Sequence, residues 1–204
     1  MYDRWGKRAL DRAGAALLLA LLAPVMAAVA FAVLLALGRP VLFRQARAGR
    51  GGQSFVLLRF RSMSGGPGED AARLGRFGRA LRASALDELP QLVNVLRGEM
   101  SLVGPRPLPP EYLALYTARQ ALRLRVRPGL AGLAQAAGRN AVPWGRRFAL
   151  DARYAARPAR LGADALILLR CLAVVLRGRG ASAPGHATVP PFRGGGVSAS
   201  PARR

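Results

Sequence analysis

Asp87 and Glu88 are adjacent carboxylates in a chain of 204 residues that holds ten acids against 32 lysines and arginines. Two neighbouring carboxylates can hold a hard cation such as Mg²⁺ through oxygen ligands, and an aspartate can attack phosphorus. A plainer role is also open, because acids in the first turn of a helix complement its dipole. Ser84, as the predicted N-cap, would place both acids in such a turn. Arg106 lies in Ser101-Leu102-Val103-Gly104-Pro105-Arg106-Pro107, where Gly-Pro and Arg-Pro steps fix a loop around one guanidinium. An arginine held that way can clamp a phosphate with two parallel hydrogen bonds, although a lone arginine in a turn is more often only a surface residue. The stretch Pro128–Asn140, PGLAGLAQAAGRN, adds Gln135, Arg139 and Asn140 to glycines that let backbone approach a ligand. Its spacing matches neither a Walker loop nor a dinucleotide fingerprint.

Other chemistries are excluded by what the chain lacks. His186 is the single histidine and Cys171 the single cysteine. Disulfides within the chain and zinc sites with several Cys or His ligands are therefore impossible, and a Ser-His-Asp or Cys-His arrangement is disfavoured. The net charge of +22 admits nucleic acid, an anionic membrane surface or a phosphorylated substrate as partner. Lys7 is the only lysine, and the abundance of Arg, Ala and Gly is what a GC-rich coding sequence produces, so placement tells more than total charge. Binding to nucleic acid would call for a basic face interleaved with stacking aromatics. Aromatics are 6% of the chain and no recognition motif is present, so no nucleic-acid partner is expected.

The elements that must position these residues begin with Ala13–Gly38, an uncharged run of Leu, Ala and Val. At roughly 1.5 Å per residue it is long enough as a helix to cross a hydrocarbon layer of about 30 Å. Pro24 near its middle would bend it. Both flanks are basic, with Arg4, Lys7, Arg8 and Arg12 before the run and Arg39, Arg44 and Arg47 after it, which favours the cytoplasm for both. The residues alone leave a straight crossing and a re-entrant helix both open. Pro40–Gln45 and Ser54–Phe60 read as strands around a turn at Ala48–Gln53, and Ser64–Asp70 as a loop. A helix is predicted after Ser84, with Leu86, Leu89, Val93 and Leu96 as its buried stripe and Asp87, Gln91 and Asn94 on another face. Glu111–Arg125 also reads as helical. Asp164–Leu176 is predicted as an apolar helix, in the core or at a membrane surface. From Arg177 the Gly, Pro, Ser and Ala content suits disorder. The chain thus divides into 1–39, 40–176 and 177–204.

Taken together, the motifs resemble a known family. SALDELPQLVNVLRGEMSLVGPRPL, residues 84 to 108, is similar to the hallmark of the bacterial sugar transferases, the monotopic polyprenyl-phosphate phosphoglycosyl transferases. PVLFRQARAGRGGQSFVLLRFRSM, residues 40 to 63, resembles the family's upstream block, and PGLAGLAQAAGRN its downstream block. Lys7-Arg8, the apolar run and Pro24 resemble its re-entrant membrane helix. The resemblance covers about residues 1 to 176 in the family's order and fits its small form.

That resemblance implies an α-rich α/β fold with a re-entrant N-terminal helix broken at Pro24, a small β hairpin or sheet, and interfacial helices. It places the enzyme in the bacterial cytoplasmic membrane, facing the cytoplasm. Asp87 would attack the sugar-bearing phosphate of a UDP-sugar and expel UMP, and the phosphosugar would pass to polyprenyl phosphate. Mg²⁺ would be held with help from Asp87 and Glu88. Arg106 would contact phosphate, Arg59 matches a basic position of the upstream block, and Gln135 and Arg139 match positions near the nucleotide. Several residues depart from the family's usual ones: Arg59 replaces a lysine, Glu99 an aspartate, Ala131 a threonine, and Ala23 and Ala85 serines. These departures admit a second reading, a scaffold of the same fold without activity. The net charge admits a third, a membrane-anchored nucleic-acid binder.

Overall fold

A computed structural model describes residues 2–178, 180 and 189–194, without the side chains of Asp3 and Arg4. His186 and most of the predicted tail lie outside the described residues. The apolar run becomes α1 (Lys7–Leu37), whose helical backbone continues through Pro24. It is the one described helix long and apolar enough to cross a membrane.

Two pairs of strands follow. β1 (Leu42–Ala48) and β2 (Ser54–Phe60) form an antiparallel hairpin in the register Leu42 with Phe60 through Ala48 with Ser54. β3 (Ser101–Val103) and β4 (Gly129–Ala131) pair in parallel. The second pair needs glycine, because a Cβ at Gly129 would collide with the backbone of Gly104. Between the pairs lie α2 (Asp70–Arg73), α3 (Arg76–Ala83) and α4 (Gln91–Arg97). Glu111–Arg125 is not one helix. It folds as a 3₁₀ stretch at Pro110–Leu115, a turn of helix α5 (Ala118–Ala121) and a second 3₁₀ stretch at Leu122–Arg125. The break has a local cause: Thr117 and Gln120 form a reciprocal capping box that starts a new helix there. The chain ends with α6 (Leu133–Ala136), α7 (Trp144–Ala155) and α8 (Leu161–Leu176).

Both halves of α1 rest on the rest of the chain. Ala15, with Leu18, Leu19 and Leu22, packs on Leu57, Leu92, Val95 and Met100. Beyond Pro24, Val29 and Val33, with Met26, Ala30 and Leu37, pack on Phe60 and Leu81 and on Phe77, Leu86 and Leu89. The opposite side of the helix stays bare, with Leu17, Leu21, Phe31 and Leu35 each more than 60% exposed. The end of α1 is fixed by Arg61, at the exit of β2, whose guanidinium donates to the carbonyls of Leu37, Gly38 and Arg39. That places a cation where the helix dipole favours one.

Two expectations for the segment after Ser84 are corrected. Ser84 closes α3 rather than opening a helix, with its hydroxyl donating to Leu81 O at 3.0 Å. The next helix starts only at Gln91, behind Pro90, whose missing N–H is tolerated at a helix start. Leu96 is exposed, while Asn94, expected on a polar face, is fully buried. The Asn94 amide is satisfied inside: it accepts from Leu58 N and donates to Val56 O and to Glu99, binding α4 to β2.

Candidate active site

Asp87 and Glu88 sit on a single 3₁₀ turn, Leu86–Glu88, between α3 and α4. The turn is entered through Ala85 in the left-handed region, at φ 57°. For an alanine that conformation costs about 1–2 kcal/mol, and backbone strain of this kind clusters at working sites. Leu86 and Leu89 flank the acids and pack toward the second half of α1. The dyad is thereby pinned to the apolar helix, while its carboxylates line a cavity of about 570 Å³.

Nine arginines and four carboxylates line that cavity, so it carries a surplus of positive charge. Arg106 donates to both oxygens of Glu88, at 2.7 and 3.3 Å. Arg59, on β2, donates to Glu88 Oε1 and lies 3.3 Å from Asp87 Oδ2. Asp87 is 2% exposed, and its Oδ1 has no hydrogen-bond partner.

The two neighbours are pushed apart in acidity. Burial raises the pKa of Asp87, more than the facing Arg59 can offset, and the charge of Glu88 adds to the rise. Burial also pushes Glu88 upward, but Arg106 and Arg59 together outweigh it and hold the group at about 2. Separated carboxylate pKa values of this kind mark groups with different tasks. Glu88 is a fixed anion that organises arginines. Asp87 keeps one oxygen uncommitted.

The remaining expected residues also line the cavity, by different means. Gln135 donates to Leu130 O at 2.7 Å and leaves its buried Oε1 without a partner. Arg139 donates to the carbonyls of Arg82 and Ala83, at 2.8 and 3.2 Å, and so ties the downstream loop to the end of α3 just ahead of the dyad. Pro24 is in α1 and does not line the cavity.

Sequence reasoning missed a supporting layer. Arg123 and Asp151 form an ion pair at 2.9 Å with both side chains 4% exposed, and Arg123 also donates to Arg106 O and to Tyr116 Oη. Burial raises Asp151 to about 6 in spite of that partner. Arg47, read as a membrane flank, faces the cavity instead, where burial and the charges of Arg106 and Arg59 lower its pKa to about 10. Tyr112, Tyr116, Trp144 and Phe148 build an aromatic wall that also takes in Phe192 from the segment beyond α8. No spacing rule marks the pairings that join distant segments, because Arg123 and Asp151 are 28 positions apart and Tyr112 and Phe192 are 80.

Among the described residues no group of three or more His, Cys, Asp or Glu side chains could hold a metal. The dyad fits a more limited arrangement. Mg²⁺ often takes one or two carboxylates together with substrate phosphate oxygens; the unpartnered Asp87 Oδ1 and the adjacent Glu88, once released by its arginines, could contribute to such a set.

Known proteins resemble this chain along nearly its whole length. Residues 2–178 match the family described as bacterial sugar transferase. The uncharacterized sugar transferase EpsL of Bacillus subtilis is 41% identical over 196 residues, covering 93% of this chain and 96% of its own. The UDP-glucose:undecaprenyl-phosphate glucose-1-phosphate transferase of Caulobacter vibrioides is 50% identical over 143 residues, covering 65% of this chain and 54% of its own. The exopolysaccharide production protein ExoY of Rhizobium meliloti is 36% identical over 197 residues, covering 85% and 87%.

Proposed function

The chain belongs to the bacterial sugar transferase family, and on that premise we propose that it moves a sugar phosphate from a UDP-sugar to polyprenyl phosphate in two steps. The supporting observation is the placement of the dyad: carboxylates in an arginine-lined cavity, with flanking leucines packed on an apolar helix. A water-borne diphosphate and a bilayer-held acceptor can both reach such a point.

In the first step an Asp87 carboxylate oxygen attacks the sugar-bearing phosphorus. A new P–O bond forms, the bond to the bridging oxygen breaks, and UMP leaves with that oxygen. In the second step a phosphate oxygen of the polyprenyl phosphate attacks the same phosphorus and releases the Asp87 carboxylate. Arg59 and Arg106, which neutralise the dyad in the free protein, are placed to turn toward the diphosphate and stabilise its developing charge. Glu88, with a share from Asp87, would hold Mg²⁺, which when bound offsets charge on the diphosphate. Gln135 and Arg139 are assigned to the nucleotide end of the cavity. Without polyprenyl phosphate, UDP-sugar is expected to release UMP stoichiometric with enzyme and then stop. Continuous hydrolysis, or no UMP until the lipid is added, would contradict the covalent route.

The packing of α1 supports a seating within one leaflet. A straight crossing would carry the far half of the helix away from the rest of the chain, whereas residues on both sides of Pro24 pack on the core beneath the site. The helix accordingly lies within one leaflet, with the bare side holding Leu17, Leu21, Phe31 and Leu35 in the acyl layer. In a Cys171→Ser background, Ala9→Cys and Arg44→Cys are both expected to react with an impermeant maleimide from the cytoplasmic side only. Labelling from opposite sides would refute the seating.

A further inference from the structure

A second cavity, of about 780 Å³, opens at the start of α1 and shares no lining residue with the first. Lys7, Arg8, Arg50, Arg125, Arg127 and Arg157 line it, against the single carboxylate of Asp11. That carboxylate is already used: it accepts from Ser101 Oγ at 2.6 Å and Leu102 N at 3.2 Å and pairs with Lys7. Asp164, behind the cleft, is likewise taken, by Lys7 and by the hydroxyls of Tyr2 and Tyr154. Arg8, Arg50, Arg125 and Arg157 therefore face the cleft with no carboxylate partner among the described residues. Arg127, held by its Nε donation to Gly98 O, feels burial first and then the repulsion of Arg8, Arg50 and Arg12, and its pKa is lowered. Like charges gathered this way call for an anion.

The position of the cleft narrows the kind of anion. Trp5 on its rim is 77% exposed. The bare leucines of α1 begin at Leu10, and those of α8 at Leu161, two residues beyond the cleft wall at Ala159. Cationic and apolar surfaces thus meet at the cleft mouth, which is the pattern of a head-group boundary. We propose that this cleft receives the phosphate of an anionic membrane phospholipid, apart from the catalytic cavity. The proposal rests on the seating of α1 in a leaflet.

The test uses the purified full chain and vesicles of phosphatidylcholine alone or mixed with phosphatidylglycerol. The wild type is expected to prefer the mixed vesicles. Arg50→Gln, Arg125→Gln and Arg157→Gln together should cut that preference on the order of a hundredfold, at about fivefold per basic residue. Arg76→Gln, Arg119→Gln and Arg146→Gln remove the same charge from exposed positions outside both cavities and should keep most of it. Equal loss in the two triple variants, or full preference in the cleft variant, would overturn the proposal. Loss of the wild-type preference to inorganic phosphate at constant ionic strength would also overturn it, by assigning the cleft to free phosphate. All variants should still bind neutral vesicles through their leucines. Failure of the wild type to do so would count against the leaflet seating and not against the cleft charge.

Discussion

Asp87→Asn is expected to lower UMP release by a factor on the order of 10⁴ while leaving the fold intact. The amide keeps the size of the side chain but cannot act as the nucleophile. The same change should stabilise the chain at neutral pH by about 1–2 kcal/mol, as replacement of an unfavourably buried working residue often does. The sign follows from burial. Asp87 titrates above its ordinary value in the folded chain, so its favourable contribution is complete below the ordinary aspartate pKa and is lost as pH rises through the raised one. The variant has no such loss. Its advantage in urea or thermal midpoint, measured without metal, should therefore be small at low pH and grow toward neutrality. Turnover within tenfold of wild type would remove Asp87 from the role of nucleophile. Lost activity with lost stability would point to a structural role instead.

The parts of this chain that were legible in its sequence depend on near neighbours. The β1–β2 hairpin lies close to the predicted strands because two short apolar runs flank a glycine-rich turn. α8 follows from one apolar run, and the dyad stood out because acids are scarce. What the sequence hid is long-range or satisfied internally. Asn94 looks solvent-facing until Leu58 N and Val56 O are found beside it. Asp11 looks like one more surface acid on a basic N-terminus, yet it is buried against Ser101, 90 positions away. The β3–β4 pair spans three residues on each side and is fixed by close glycine contacts, which leave no periodic signal. Ser84 has the residue type of a helix start, but its hydroxyl turns back to Leu81 O and it closes α3.

The second large effect is expected from Arg106→Met, which should lower turnover by about 10²–10³ through lost stabilisation of phosphate charge. It should also cost stability, because Glu88 would be left buried with only Arg59. Breaking a fully buried pair costs about 3–5 kcal/mol. With the Arg106 side chain 31% exposed, solvent screening reduces the expected loss to about 2–3 kcal/mol. Glu88 gives this loss its pH dependence. Its folded pKa is depressed to about 2, so the stability it contributes is present above the ordinary glutamate value and is lost as pH falls through about 2. The gap between wild type and variant should be widest above about pH 5 and close on acidification. Adding Glu88→Gln should recover much of the stability, since it removes the stranded charge, and should recover none of the turnover. The two substitutions must then be strongly non-additive in stability. If they add, Glu88 and Arg106 do not act as a unit. The separation of a fixed anion from an uncommitted nucleophile, on which the two-step route depends, would then lose its physical basis.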